Sequence, residues 1–197
     1  MLVGPEQQRR ELLADLHGRV LELGAGEGRN FALYPATVQE VIAVEPEPYL
    51  RQHAVRAAQA AEVPVTVLDG SADELPVAVG SCDAAVASLV LCTVPDQARA
   101  LAALREVLVP SGELRFYEHV LADHAVTARL QRLLDHTGAW PRLGAGCHLA
   151  RDTQAAIEQA GFRIEAIQRS SFGPGPFGVP FILGRARRGT SDGEVGQ

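Results

Sequence analysis

The hydrophobic positions along this chain change period, and the changes mark its elements. Over residues 6–16, Leu12, Leu13 and Leu16 recur at helical spacing, while Gln7, Gln8, Arg9 and Arg10 are polar. That spacing predicts a helix with a solvent-facing polar side, closed by Gly18. Apolar runs then recur at residues 20–23, 40–45, 64–69, 82–89 and 113–118. Short runs this apolar suit strands covered on both faces, as in a parallel sheet. Helical patterns lie between them. A short one near 29–33 is stopped by Pro35, and a long Ala-rich one opens at Pro46 and Pro48 and reaches residue 61. Another starts at Asp96 as N-cap and runs through Leu108, with Leu101, Leu104 and Leu108 facing inward. Pro110, Ser111 and Gly112 turn the chain into the fifth strand. Residues 121–138 read as helix and 140–150 as irregular; 153–160 read as a helix capped by Asp152 and closed by Gly161. The last strands are expected at 162–168 and 179–187, joined hairpin-fashion through 173–176, with a disordered tail over 189–197.

Strand and helix alternate through five strands. The expectation is one α/β domain over residues 1–188: a doubly wound, mostly parallel, seven-stranded sheet with an antiparallel last strand. Ligands of such sheets bind beyond the carboxyl ends of the strands. Gly24, Glu45, Ser71, Ser88 and His119 all fall at those ends, so they should converge on one crevice.

The first strand runs into Gly24-Ala25-Gly26-Glu27-Gly28-Arg29-Asn30. Glycines at alternate positions let the backbone turn sharply and approach a ligand, with backbone N–H groups above the loop. A dinucleotide site spaces its glycines G-x-G-x-x-G and seats a pyrophosphate. Here the spacing is G-x-G-x-G, and Glu22 stands two residues before the first glycine. A carboxylate repels a pyrophosphate but suits a ligand carrying an ammonium group. S-adenosylmethionine has an ammonium, a sulfonium and a carboxylate and no phosphate. A tight strand-to-helix turn is the plainer alternative. Glu45, closing the second strand, could accept hydrogen bonds from vicinal ribose hydroxyls; a solvent-exposed strand-end acid is the other reading.

Composition narrows the function classes. The 18 basic residues are all Arg and face 24 acidic ones, giving a net charge of −6. That balance argues against nucleic acid as a partner, and the absence of Lys excludes lysine-based covalent chemistry. Three cysteines, Cys82, Cys92 and Cys147, cannot all pair and form no C-x-x-C array, so a reducing compartment is expected and a metal is not. The longest apolar stretch, residues 84–94, is short and carries Ser88, Cys92 and Thr93. With no signal-peptide pattern either, a cytoplasmic protein without membrane insertion is expected.

The glycine loop with Glu22 resembles the cofactor motif of class I S-adenosylmethionine-dependent methyltransferases. Residues 70–76, Gly-Ser-Ala-Asp-Glu-Leu-Pro, resemble their G-D-A-x-x-L-P loop, with Ser71 where an adenine-binding Asp is usual. Ser71 could accept that bond, or Asp69 or Asp73 could take it over. Residues 89–94 (Leu-Val-Leu-Cys-Thr-Val), 105–113, 116–120 (Phe-Tyr-Glu-His-Val) and 146–152 (Gly-Cys-His-Leu-Ala-Arg-Asp) look more particularly like the alkyl thiol methyltransferases, the methyltransferase-like 7 subfamily. The likeness spans residues 20–187. It implies a Rossmann-like methyltransferase fold and S-adenosylmethionine as cofactor, with S-adenosylhomocysteine as product. It also implies a cofactor site of Glu22, Gly24, Ala25, Gly26, Gly28, Asn30, Glu45, Pro46, Ser71, Ala72, Ser88 and Leu89. The animal members carry an N-terminal membrane anchor; residues 1–17 here show no such apolar run, so membrane attachment is not expected.

For the acceptor, a small hydrophobic thiol or sulfide is the favoured reading. An ordinary thiol, with pKa about 8.5, is a few per cent thiolate at neutral pH, so a modest base or capture of the thiolate suffices. His119, just past the fifth strand, is the candidate base, or else a structural imidazole ordering the crossover. Phe31, Tyr34, Trp140, Cys147 and His148 are candidate substrate contacts, with packing the plainer role for Cys147 and Trp140. Two alternatives stand beside this: C- or N-methylation of a quinone-like or lipid acceptor, and a non-catalytic cofactor-binding partner protein.

Overall fold

The computed structural model describes residues 5–143, 146–172 and 178–189. Seven strands form one sheet in the order β3-β2-β1-β4-β5-β7-β6. They are β1 Gly18–Leu23, β2 Val38–Val44, β3 Val65–Leu68, β4 Cys82–Ser88, β5 Leu108–His119, β6 Phe162–Phe172 and β7 Val179–Arg188. The first five pair in parallel, and β7 runs antiparallel to both β5 and β6. The strand order turns back at β1, between β2 and β4, which opens a crevice at the carboxyl ends of β1 and β4.

The central strands carry runs that are apolar on both sides because both faces are covered. Along β2, Val41 and Ala43 join one core cluster while Ile42 and Val44 join the other. The helix α1 (Pro5–Leu13) and α2 (Pro48–Ala58) cover the first face through Leu12, Leu13 and Ala54. The second is covered by α3 (Gln97–Val107) through Leu101 and Leu104, and by α6 (Thr153–Gln159) through Ile157. Two expected N-caps are in place: the Asp96 side chain accepts from Arg99 N at 3.0 Å and that of Asp152 from Ala155 N at 3.0 Å.

Several boundaries differ from the sequence reading. Helix α1 ends at Leu13, and Leu16 reaches the core from the turn that follows, where Asp15 takes φ 63°. Gly18 opens β1 instead of closing the helix. The helix expected near 29–33 is one 3-10 turn, Phe31–Leu33. Strand β5 starts at Leu108, directly after α3; its pairing jumps from Cys82↔Leu108 to Ala84↔Glu113, so the Pro110-containing turn bulges from a strand already begun. Helix α4 spans Ala125–His136, and Trp140 lies in a short helix α5, Ala139–Leu143, not in an irregular run. Among the described residues no helix is long and apolar enough to cross a membrane. The hairpin connection at 173–176 lies outside the described residues. So does the expected tail, apart from Gly189, whose N–H donates to Gly161 O at 2.9 Å.

Candidate active site

At the end of β1 the chain turns over the end of β2: Gly24 N and Ala25 N both donate to Val44 O, at 2.8 and 3.2 Å. Gly24, Gly26 and Gly28 have φ of 65°, 57° and 81°, the left-handed region. Their roles differ. A Cβ on Gly24 would meet Val90 Cγ2 at 2.4 Å, and one on Gly28 the Phe31 ring at 2.7 Å. A Cβ on Gly26 would meet nothing within 4 Å. Gly28 thus serves packing, and Gly26 faces open space.

That space is a cleft of about 350 Å³, large enough for a small organic ligand. Glu22, Gly24, Ala25, Gly26, Asn30, Ser88 and Leu89 line it together; of the five strand-end residues expected in one crevice, Gly24 and Ser88 line this cleft, and Glu45, Ser71 and His119 do not. Leu89 holds φ 59°, uncommon for a branched residue, and its N–H donates to Tyr117 O at 2.7 Å. Glu22 is 2% exposed and accepts from Asn30 Nδ2 at 2.9 Å and Tyr34 Oη at 2.6 Å. Burial pushes its carboxyl up to about 7, with Tyr34, Asn30 and Arg9 pulling it back.

Arg9 was expected to face solvent. Instead it reaches into the same cleft, donating from Nη1 to Asn30 Oδ1 at 2.7 Å and to Ser88 Oγ at 3.3 Å. Burial lowers its pKa, and Glu22 works in the opposite direction. The cleft therefore offers a carboxylate and a guanidinium, bridged by Asn30. That suits a zwitterionic amino-acid group, whose ammonium and carboxylate need opposite partners. A signal for Arg9 existed, since it shares the helical stripe of Leu12, Leu13 and Leu16.

Glu45 is buried beside the cleft. One oxygen accepts from Gly26 N at 2.8 Å and the other from Glu47 N at 3.1 Å. Pro46 lends its carbonyl to Arg51 Nη1 at 2.8 Å. Arg51 also forks onto Asp69 at 3.0 and 3.1 Å, which occupies that candidate adenine acceptor. Asp73 is exposed and pairs with Arg99 at 3.6 Å. Ser71 is exposed and Ala72 packs against the core, and neither lines the cleft.

Phe31 and Tyr34 do not wall a substrate pocket, which corrects that expectation. They are 1% and 5% exposed, packed under the glycine loop with Leu12 and Leu13. The 3-10 turn points them into the core, where aromatic area is best buried and the Tyr34 hydroxyl finds Glu22.

A second group lies at the carboxyl ends of β4 and β5. Glu118 is fully buried and accepts from the N–H groups of Val90, Leu91 and Cys92 at 3.0, 2.9 and 3.1 Å. Burial pushes its carboxyl well up, against the pull of those three donors. The sequence reading gave this acid no role. His119 places Nδ1 3.0 Å from Cys147 Sγ, and its ring centroid lies 4.2 Å from that of Phe181. Cys147 is drawn down by its Cys92 partner, against burial, with Trp140 acting in the same direction; Cys92 is pushed up to about 12 by Cys147 and burial.

The stretch after α5 is tied over this loop. His148 N donates to Cys92 O at 2.8 Å and Arg151 Nη1 to Leu91 O at 2.6 Å. Asp135 accepts from Leu149 N and Ala150 N at 3.0 and 2.8 Å. His148 turns its ring to Asp135, Nδ1 to Oδ2 at 3.8 Å, and contributes its backbone to the loop.

A crossed α/β sheet with an antiparallel seventh strand, and a glycine loop facing an acid in a cleft at its carboxyl end, define a nucleoside-type cofactor fold. The sequence profile described as "Methyltransferase domain" matches residues 21–116. The chain belongs to the class I S-adenosylmethionine-dependent methyltransferases and is such an enzyme. It is 33% identical to the thiol S-methyltransferase TMT1B of Rattus norvegicus, over 92% of this chain and 78% of that one. It is 33% identical to TMT1A of Homo sapiens, over 79% of this chain and 67% of that one. The ubiquinone/menaquinone biosynthesis C-methyltransferase UbiE of Syntrophotalea carbinolica is 28% identical over 83% of this chain and 72% of its own. Among solved structures, the YcgJ protein of Bacillus subtilis superposes with a TM-score of 0.77 at 17% identity, covering 94% of this chain and 98% of that one.

Proposed function

We propose that this enzyme methylates a small hydrophobic thiol or sulfide. The observation that carries the reading is the 33% identity to proteins named as thiol S-methyltransferases, sustained over 92% of the chain. The likeness to UbiE keeps a quinone-like acceptor as the second reading.

The residues present fit the cofactor. Gly26 has open space where a Cβ would stand, so its backbone can lie against the ligand. Glu22 would face the ammonium, Arg9 and Asn30 the carboxylate end, and Glu45 the ribose hydroxyls. Ser88 and Leu89 would line the methionine end. When bound, the cofactor supplies an electrophilic methyl group on a sulfonium. The protein's part is to orient the acceptor, keep the cleft dry and receive the thiol proton. His119, partly exposed at the end of β5, is the imidazole suited to that last task.

A panel of thiols and sulfide against quinones and amines, with methylated products read by mass spectrometry, tests the acceptor. Thiols are expected to exceed the other classes by at least about tenfold in kcat/KM. Product from quinones or amines alone would overturn the thiol reading.

Glu22 sets a pH dependence. In the ligand-free protein its carboxyl titrates near 7, above its ordinary value of 4.5. The native state therefore holds a proton that the unfolded chain has released. This contribution to stability is complete below the unfolded value and is lost as pH rises through about 7. An ammonium ligand reverses the preference, because it needs the carboxylate. Cofactor affinity is expected to weaken below about pH 7, approaching about tenfold per pH unit, with proton release on binding. Calorimetry in buffers of different ionisation enthalpy measures that release. No release at acidic pH, or the same pH dependence in Glu22→Gln, would remove Glu22 from the ammonium site.

A further inference from the structure

Proton removal from a thiol needs one imidazole, yet three soft donor groups meet at the carboxyl end of the sheet. Cys92 follows β4, His119 ends β5, and Cys147 stands in the stretch after α5. One ligand atom from each lies within 4.8 Å of the others, with His119 Nδ1 and Cys147 Sγ 3.0 Å apart. Both cysteines are buried and unoxidised, and His119 is partly exposed.

Two thiolates and an imidazole are the donor set of zinc and its chemical neighbours, and a poor set for magnesium or calcium. Bonds of about 2.3 Å to sulfur and about 2.0 Å to nitrogen, at tetrahedral angles, separate the donors by about 3.5–3.8 Å. The present spacing brackets that value, so small side-chain adjustments would close the site.

The backbone holds the three donors in place. Glu118 accepts from Cys92 N at 3.1 Å and fixes the loop that carries Cys92. Cys92 O accepts from His148 N at 2.8 Å, which ties the neighbour of Cys147 to Cys92. His119 is paired to Phe181 across β5 and β7 and packs against its ring. Such outer contacts orient metal ligands. On binding, each cysteine gives up its proton, and the dication balances the two thiolates so formed. Among the described residues the trio has no fourth donor; the nearby Asp135 and His148 face each other. Three protein ligands and one open position mark a site that takes up an exogenous ligand, not a closed structural one.

We propose that Cys92, His119 and Cys147 bind one zinc-class divalent cation whose open position takes the sulfur of the acceptor thiol. The second half rests on the thiol reading above. As the metal–sulfur bond forms, the S–H proton passes to solvent and the acceptor is held as a thiolate, because a coordinating thiol is deprotonated outright. With the metal bound, His119 is a ligand and that route replaces its role as proton acceptor. This departs from the expectation of no metal, which rested on the missing C-x-x-C pattern. The ligands here come from three separate elements.

The test uses the full chain, reduced, stripped with a chelator and titrated with zinc and with cobalt. One equivalent of metal per chain is expected by elemental mass spectrometry, together with a thiolate-to-cobalt charge-transfer band. Cys92→Ser and Cys147→Ser are expected to lose that band, and His119→Ala to weaken binding by about 10–100-fold; cofactor affinity reports that the variants are folded. Propanethiol is expected to shift the cobalt spectrum of the wild-type protein. No uptake by the reduced wild-type chain, or a band unchanged in both cysteine variants, overturns the site. A spectrum indifferent to propanethiol overturns the open position. Metal-free protein methylating propanethiol as fast as the zinc-loaded protein overturns the metal's role and upholds the thiol reading. Zinc-loaded protein that binds propanethiol sulfur yet methylates no thiol upholds the site and overturns the thiol reading.

Discussion

Glu118→Ala is expected to lower the unfolding free energy by about 3–5 kcal/mol, because it strands buried partners of a buried acid. The carboxylate accepts three successive backbone N–H groups, and nothing in the packed loop can replace it. Glu118→Gln keeps the shape. Its single carbonyl oxygen can retain Val90 and Leu91, but its amide then opposes Cys92 N, donor against donor. A loss of about 2 kcal/mol is expected. Chemical denaturation followed by circular dichroism measures both. A total stability of about 5–15 kcal/mol for a domain makes the alanine variant marginal, so the amide variant keeps the test readable. The loss should reach the cleft, because Val90 is the side chain against which Gly24 is closed. An alanine variant as stable as the wild-type protein would mean that the three N–H groups find water.

Gly26→Leu is expected to abolish cofactor binding while leaving the protein folded. No atom lies within 4 Å of the position where its Cβ would stand, so the fold loses only the cost of φ 57° for a side chain, about 1–2 kcal/mol. The side chain would occupy the open cleft, and affinity should fall by more than about 100-fold, or about 2.7 kcal/mol. Gly24→Ala separates the two effects. Its Cβ would stand 2.4 Å from Val90 Cγ2, so it should cost stability first, by about 1–3 kcal/mol from overpacking with backbone strain added. Thermal unfolding and titration calorimetry on the same two variants read this out. Cofactor affinity surviving in a folded Gly26→Leu would remove the loop from the binding site.

The strands were legible because their signal is local. Residues such as Val41 to Val44 must be apolar at every position when both faces are covered, and no other part of the chain is needed to see it. The helix caps were legible for the same reason: Asp96 and Asp152 bond to N–H groups three residues on. Phe31 and Tyr34 were misread because sequence proximity to a glycine loop does not say which way a short 3-10 turn aims its side chains. The turn aimed them inward. Arg9 was misread because charge outweighed position. It sits on the apolar stripe of α1, and its long side chain carries the guanidinium past the core edge into the cleft.

The order of apolar runs and the glycine spacing determined by themselves an α/β sheet with a glycine turn after the first strand, and the motifs' resemblance to a known family pointed to a methyltransferase. Each of those features acts through neighbours a few residues away. Only the tertiary structure decided which side chains share a space. Arg9 meets Ser88 across 79 positions, and His119 meets Cys147 across 28. Such meetings depend on how the helices and crossovers pack against the sheet, and no local period encodes that.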